Sequence, residues 1–146
     1  VARDGQFIYS REQLFGGAQL TESIQSRYGL TPEEALQSKR SMNLPADYQQ
    51  EVLHPFMELV VQQITRALQF YFSTSQSHHI DHILLAGGTA GLSGLDRLVE
   101  RKLGNPTSVA NPFLNLTTAA HIDPTALTAD APSLLAACGL ALRSFD

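Results

Sequence analysis

The sequence is poor in features that mark several large classes of protein. Its 146 residues include one cysteine, Cys138, and no tryptophan. A single cysteine excludes an intramolecular disulfide framework and fits a reducing compartment. Ten lysines and arginines stand against fourteen acids, giving a net charge of −4, so no nucleic-acid-binding surface is indicated. No apolar run approaches the roughly 20 residues that a membrane-spanning helix needs.

The remaining composition is that of a globular protein, since 43% of the residues are hydrophobic. The first residues predict a hairpin: Val1-Ala2 ends one strand, Asp4-Gly5 forms the turn, and Phe7 to Tyr9 begins the next strand. A strand at this position usually pairs with a strand upstream of it. We therefore expect the chain to be the C-terminal part of a longer protein.

Three helices are predicted after the hairpin, over residues 21–28, 31–40 and about 47–73. Thr21 and Thr31 are the expected starts of the first two, and Gly29 ends the first. The third carries a broad apolar stripe at three- and four-residue steps. Pro55 either kinks this helix or marks its true start. The stripe consists of Val52, Phe56, Leu59, Val60, Ile64, Ala67, Leu68, Tyr71 and Phe72.

The second half of the chain alternates short strands with helices. The patterns predict strands over 80–86 and 107–110, with a helix over about 92–103 between them. Residues 117–128 read as a surface loop with at most one helical turn. Asp130 is the predicted cap of a final helix, in which Gly139 suggests close backbone packing. This order is an α/β pattern with a helical insertion.

The sequence Ile83-Leu84-Leu85-Ala86-Gly87-Gly88-Thr89-Ala90 carries the most informative local signal. Glycines let a backbone approach a ligand closely, and ligands of α/β sheets lie at the carboxyl ends of strands. This loop therefore suits a nucleotide, although an ordinary strand-to-helix turn would show the same pattern. A second pair, Gly16-Gly17, also precedes a helix and reads equally well as a plain turn.

These motifs together resemble the actin superfamily, which includes FtsA and the heat-shock chaperone ATPases. Leu85-Ala86-Gly87-Gly88-Thr89-Ala90 is similar to the adenosine loop of that superfamily, and the segment 131–145 resembles its last helix. Within the superfamily, the chain resembles the PilM family of type IV pilus assembly proteins. The three stretches that carry this likeness are Arg11-Glu12-Gln13-Leu14-Phe15-Gly16-Gly17, Val109-Ala110-Asn111-Pro112-Phe113 and Ala129-Asp130-Ala131-Pro132-Ser133-Leu134.

The resemblance implies an α/β fold, the second lobe of an actin-like protein with a helical subdomain inserted into it. The hairpin of residues 1–16 and residues 78–146 would form the lobe's core, and residues 17–77 the insertion. ATP with magnesium would lie in a cleft of the intact protein. Gly87, Gly88 and Thr89 would contact it, and Gly16-Gly17 would face the same cleft.

The resemblance also implies a nucleotide contact from a helix of the insertion, where several relatives carry a Glu-x-x-Lys pair. Lys39 matches the lysine, but Leu36 stands where the acid would be. Glu34 is a possible substitute. The alternative is that Lys39 is a solvated lysine at a helix end, with no contact to a nucleotide.

The phosphate loops of the superfamily would lie upstream of Val1. We therefore predict that this chain alone does not hydrolyse ATP and binds it weakly or not at all, and that its unpaired strand edge favours self-association. The resemblance implies a cytoplasmic scaffold at the inner membrane, with no membrane span of its own. Its partners would be other pilus assembly proteins and the cytoplasmic tail of PilN, the latter held by the first lobe.

Three alternatives remain open. An FtsA-like division protein would add an amphipathic membrane helix, which is not predicted in this sequence. A sugar- or acetate-kinase-type enzyme of the same superfamily would carry its catalytic acid upstream. A plain α/β domain would use both glycine pairs as turns. A metal site at His78, His79 and His82 is not favoured, because no further ligands stand near them in the sequence.

Overall fold

The predicted mixture of helices and short strands is present in the computed structural model, which describes residues 1–75, 79–119 and 121–143. The α/β prediction is therefore confirmed. The chain divides into two compact units, Val1–His79 and Ile80–Asp146, and the hairpin belongs to the first. The assignment of residues 1–16, 17–77 and 78–146 to parts of an actin-like lobe stays a prediction.

The first unit opens with the predicted hairpin. Strand β1 (Ala2–Arg3) pairs antiparallel with β2 (Gln6–Phe7), and the register places Ala2 opposite Phe7. Asp4 and Gly5 both have positive φ, at 51° and 76°, the geometry that a two-residue turn needs to match the strand twist. The regular ladder of the second strand ends at Phe7, but hydrogen bonding to the first arm continues to Tyr9. The Ile8 and Tyr9 N–H groups donate to the Val1 carbonyl oxygen at 3.0 and 3.3 Å, and the Val1 amino group donates to the Tyr9 carbonyl oxygen at 2.7 Å.

Helix α1 (Gly17–Tyr28) begins four residues earlier than predicted. Thr21 was the wrong start, because the first turn is secured upstream by Gln19, whose Oε1 accepts a hydrogen bond from the Gly16 N–H at 2.7 Å. Helix α2 (Pro32–Ser41) agrees with its prediction. Its capping residue Thr31 accepts from the Glu34 N–H, and the Glu34 carboxylate accepts in turn from the Thr31 N–H at 2.8 Å.

Helix α3 (His54–Thr74) follows a π-helical turn, Gln49–Leu53. Pro55 lies in the first turn of α3, directly after the π-helical turn. The α-helix therefore starts near this proline, later than residue 47, although helical backbone of the π type precedes it.

The core of the first unit forms where α1 packs against α2 and against the π-helical turn that leads into α3. Near the other end of α3, the ring of Tyr71 packs against that of Tyr9. Phe56 and Tyr71 are buried as predicted, whereas Leu59 is 44% exposed and was wrongly placed on the buried stripe. The buried apolar side chains are Leu20, Ile24, Ala35, Tyr48, Val52, Leu53, Phe56, Met57, Val61 and Tyr71.

The second unit is built on a strand-helix-strand crossover. Strand β3 (Ile83–Leu85) pairs in parallel with β4 (Thr107–Val109), and helix α4 (Leu95–Leu103) connects them and buries its apolar face. A 3₁₀ turn, Gly88–Gly91, separates β3 from α4. Strand β3 is shorter than the predicted 80–86, since only these three residues pair with β4.

The C-terminal segment departs most from prediction. Helix α5 (Pro124–Asp130) occupies the end of the predicted loop, because the Asp123 carboxylate accepts from the Thr125 N–H at 2.8 Å and caps it. Asp130 is not a cap: it is the last residue of α5, and a 3₁₀ turn (Ala131–Leu134) runs directly into α6 (Leu135–Ala141).

The expected close packing at Gly139 of α6 is absent from the described part of the chain. No atom beyond its own stretch of helix lies within 4 Å of the position that a Cβ atom would take there. Cys138 is half-buried and not fully enclosed. Across residues 1–75, 79–119 and 121–143, no helix combines the length and apolarity needed to cross a membrane.

Candidate functional site

The structure joins Lys39 to the glycine pair at the start of α1. The Lys39 Nζ donates to the Gly17 carbonyl oxygen at 2.8 Å and to the Thr21 Oγ1 at 3.3 Å. The Thr21 hydroxyl donates to the same Gly17 oxygen at 3.1 Å. Lys39 lies in the last turn of α2 and is partly exposed, but its ammonium is bonded to α1 and not directed only to solvent. It ties α2 to the first turn of α1 and places an ammonium beside Gly16-Gly17.

Partial burial of the Lys39 side chain changes the pKa of its ammonium group. Loss of hydration lowers the pKa of the Lys39 ammonium below its ordinary value, and the neighbouring positive charge of Arg40 adds to the effect. Two of the three ammonium hydrogens have protein acceptors, which leaves one donor for a further acceptor. A hydroxyl, a carbonyl or a ring nitrogen of a ligand would suit that donor.

Glu34, the candidate acidic partner of Lys39, is bonded to Thr31 instead. The Glu34 Oε2 accepts from both the N–H and the hydroxyl of Thr31, at 2.8 and 2.9 Å. These two bonds, the backbone one first, lower the pKa of the Glu34 carboxyl. Leu36 is 40% exposed. Glu34 therefore serves the start of α2, and the structure does not pair it with Lys39.

The second glycine pair, Gly87-Gly88, lies at the carboxyl end of β3 with free space beside its backbone. Gly87 has a φ of 92°, a conformation that other residues rarely adopt, and its N–H donates to the Pro132 carbonyl oxygen at 2.7 Å. Gly88 has no positive φ, and no atom lies within 4 Å of the position a Cβ would take. Thr89 follows in the 3₁₀ turn. This loop can therefore accept a ligand against its backbone.

The histidines do not form a site in the described part of the chain. His78 lies outside the described residues. The His82 Nε2 is 2.7 Å from the Ser108 hydroxyl oxygen, a contact between the residue that precedes β3 and strand β4. Residues 1–75, 79–119 and 121–143 contain no group of three or more His, Cys, Asp or Glu side chains arranged to hold a metal ion.

Sequence reasoning missed the role of Thr21 and a polar cluster at the other end of α1. Thr21 was interpreted as a helix cap, although its spacing of four from Gly17 was a signal that both lie on one face of α1. In the polar cluster, the Arg27 Nη2 lies 3.0 Å from the Asp47 Oδ2 and 3.4 Å from the Glu51 Oε2. The Tyr28 hydroxyl donates to the Asp47 Oδ1 at 3.0 Å.

Comparison with known proteins agrees with this fold. A solved structure of a "PilM-PilN type IV pilus biogenesis complex" contains a chain that is similar to this one, with a TM-score of 0.69 and 26% identity. The match covers 87% of this chain and 36% of that chain, so this chain spans about a third of the matched protein's length. The parallel crossover, the glycine loop and this match define an actin-like protein.

The family follows from a second comparison. The family model described as type IV pilus assembly protein PilM matches residues 1–145. The chain therefore belongs to the PilM family, and the predicted resemblance is confirmed. Neither comparison favours the FtsA-like or kinase-type alternatives.

Proposed function

We propose that the intact protein is an ATP-binding scaffold of type IV pilus assembly. Membership of the PilM family supports the pilus role, and the similar chain in the PilM-PilN complex supports PilN as a partner. The proposal includes a cytoplasmic location at the inner membrane, contacts with other pilus assembly proteins and ATP with magnesium as the ligand. No catalytic role is proposed for any residue of this chain.

The hydrogen bonding of Lys39 is the observation that carries the nucleotide assignment. A lysine held at 2.8 Å from the carbonyl oxygen of Gly17 keeps a partly dehydrated ammonium next to a glycine-rich turn. Immobilising the side chain before a ligand arrives reduces the entropy that binding would otherwise remove. We assign Lys39 as a donor to a polar group of the nucleotide, with Gly16 and Gly17 allowing close approach.

Gly87, Gly88 and Thr89 are proposed as a second set of contacts, considered independently of the first. The open space beside Gly88 fits a flat, bulky group lying against the backbone. The Thr89 hydroxyl adds a donor and acceptor at the edge of the same loop. The chemistry of both sets suits a nucleoside. Magnesium is assigned to phosphate loops elsewhere in the intact protein.

The glycine loop offers a matched pair of variants for testing the proposal. Gly88→Ala and Gly91→Ala each add one methyl group where no atom lies within 4 Å and where φ is not positive, so both should fold normally. Magnesium-ATP would be titrated into the intact protein carrying each change. We expect Gly88→Ala to weaken ATP binding at least about tenfold, because the methyl group occupies ligand space, and Gly91→Ala to leave it unchanged. Equal affinities for both variants would contradict a nucleotide at this loop.

The PilN assignment requires a separate test, because the tail is proposed to bind the first lobe. A fluorescent peptide of the PilN cytoplasmic tail would be titrated with the intact protein and with the 146-residue chain. We expect binding by the intact protein alone. Tight binding to the 146-residue chain would contradict the proposal, because it would show that this chain and not the first lobe holds the PilN tail.

A further inference from the structure

An open groove lies between α1 and the segment that leads into α3. Its volume is about 730 Å³, within the range of clefts that bind ligands. One wall is the outer face of α1, and the other is formed by the π-helical turn and the first turns of α3. The groove is lined by Phe15, Gln19, Glu22, Ser23, Ser26, Arg27, Glu51, Val52, Pro55, Phe56 and Leu59.

The floor of the groove is apolar. The rings of Phe15 and Phe56 stack with centroids 5.5 Å apart, and Phe56 is fully buried beneath Phe15. Leu59 is 44% exposed, and the adjacent Leu14 is exposed entirely. Apolar side chains gathered in one concave place, with polar residues around them, are typical of an interaction surface.

The rim of the groove carries excess negative charge. The Glu22 carboxylate makes no hydrogen bond or ion pair in the part of the chain that the structure describes. The Glu51 carboxylate lies 3.4 Å from Arg27, but the same guanidinium is 3.0 Å from Asp47. One positive charge therefore faces two carboxylates, and Glu22 adds a third negative charge that no described residue neutralises.

We propose that this groove docks a segment of a partner protein that carries large aliphatic or aromatic side chains flanked by lysine or arginine. The apolar side chains would cover Phe15 and Leu59, and the basic flank would neutralise Glu22 and Glu51. A second copy of this chain is a poorer occupant, because its net charge of −4 opposes an acidic rim. None of the lining residues is proposed to contact ATP, although Phe15 and Gln19 flank Gly16-Gly17, and the inference does not depend on nucleotide binding.

A pair of synthetic peptides provides the probe. Both form amphipathic helices with leucines on one face; one carries lysines on the polar face and the other carries glutamates at the same positions. Each would be labelled with a fluorophore and titrated with the intact protein that contains this chain, with polarisation as the readout. We expect the lysine peptide to bind at least about tenfold more tightly than the glutamate peptide, because its charges complement the rim.

Charge-reversal variants distinguish the groove from a general attraction of basic peptides to an acidic protein. Glu22→Lys should weaken binding of the lysine peptide about tenfold, whereas Glu33→Lys, the same charge change at an exposed site on α2, should have little effect. Leu59→Asp should also weaken binding, through loss of apolar contact. Circular dichroism would verify that all three variants keep the wild-type helix content.

Three results would overturn the proposal. The first is absence of binding by the lysine peptide, and the second is equal loss of binding in Glu22→Lys and Glu33→Lys. The third is a concentration-dependent dimer of the unmodified chain, seen by sedimentation, that Leu59→Asp dissociates. That last result would show that a second copy occupies the groove.

Discussion

Replacing Lys39 by methionine removes the ammonium and keeps most of the aliphatic side chain. The variant therefore tests the hydrogen bonds to Gly17 and Thr21 more than the packing around them. A hydrogen bond from a charged donor contributes about 1.5–3 kcal/mol to stability. Lys39 is only partly buried, and the loss of hydration that lowers its pKa offsets part of this gain. We therefore expect Lys39→Met to lower the free energy of unfolding by about 1 kcal/mol.

The assay can be confined to the first unit. All four tyrosines, Tyr9, Tyr28, Tyr48 and Tyr71, lie in it, and the sequence has no tryptophan. Urea unfolding followed by tyrosine fluorescence therefore reports on the unit that contains Lys39.

Arg40→Met is the matched control for this prediction. Arg40 precedes the end of the same helix and carries the same charge, but its side chain is exposed. We expect this variant to change the unfolding free energy by less than about 0.5 kcal/mol. Equal destabilisation by Lys39→Met and Arg40→Met would refute the role assigned to the Lys39 hydrogen bonds.

Three further predictions concern other parts of the chain. The pKa of the Asp47 carboxyl is lowered, first by its hydrogen bond from Arg27, so the stability it contributes should be complete above about pH 4 and lost as the pH falls through the lowered pKa. The difference in urea stability between wild type and Asp47→Asn should therefore shrink over that fall in pH. A difference that does not change with pH would contradict this prediction. Phe56→Ala removes a fully buried ring and should lower the unfolding free energy by about 3–5 kcal/mol, measured by the same tyrosine fluorescence. Gly87→Ala forces a methyl group onto a φ of 92° and should destabilise the second unit by about 1–3 kcal/mol, measured by thermal unfolding followed by circular dichroism. Gly88→Ala should be nearly neutral in the same measurement.

The elements that the sequence predicted well are those set by local signals. Asp4-Gly5 specifies its turn because both residues accept positive φ. Thr31, Pro32 and Glu34 lie within four consecutive positions and together specify the start of α2. Interactions between residues so close along the chain can be read without knowing how the chain folds.

The errors arise where distant or competing interactions decide the structure. The contact of Lys39 with Gly17 joins residues 22 positions apart and depends on how α1 packs against α2. Asp130 has the side chain of a helix cap, but α5 already runs through it because Asp123 provides the cap upstream. The groove beside Leu59 also follows from packing, since its two walls come from α1 and from the segment that leads into α3, which are distant in the sequence.

The central claim is that this chain supplies contacts to ATP within an intact actin-like protein. The most direct test is calorimetric titration of magnesium-ATP into two samples, the 146-residue chain and the intact protein that contains it. We predict saturable binding by the intact protein and little or none by the chain alone. If the intact protein binds no ATP, the two glycine pairs are plain turns and the claim is wrong.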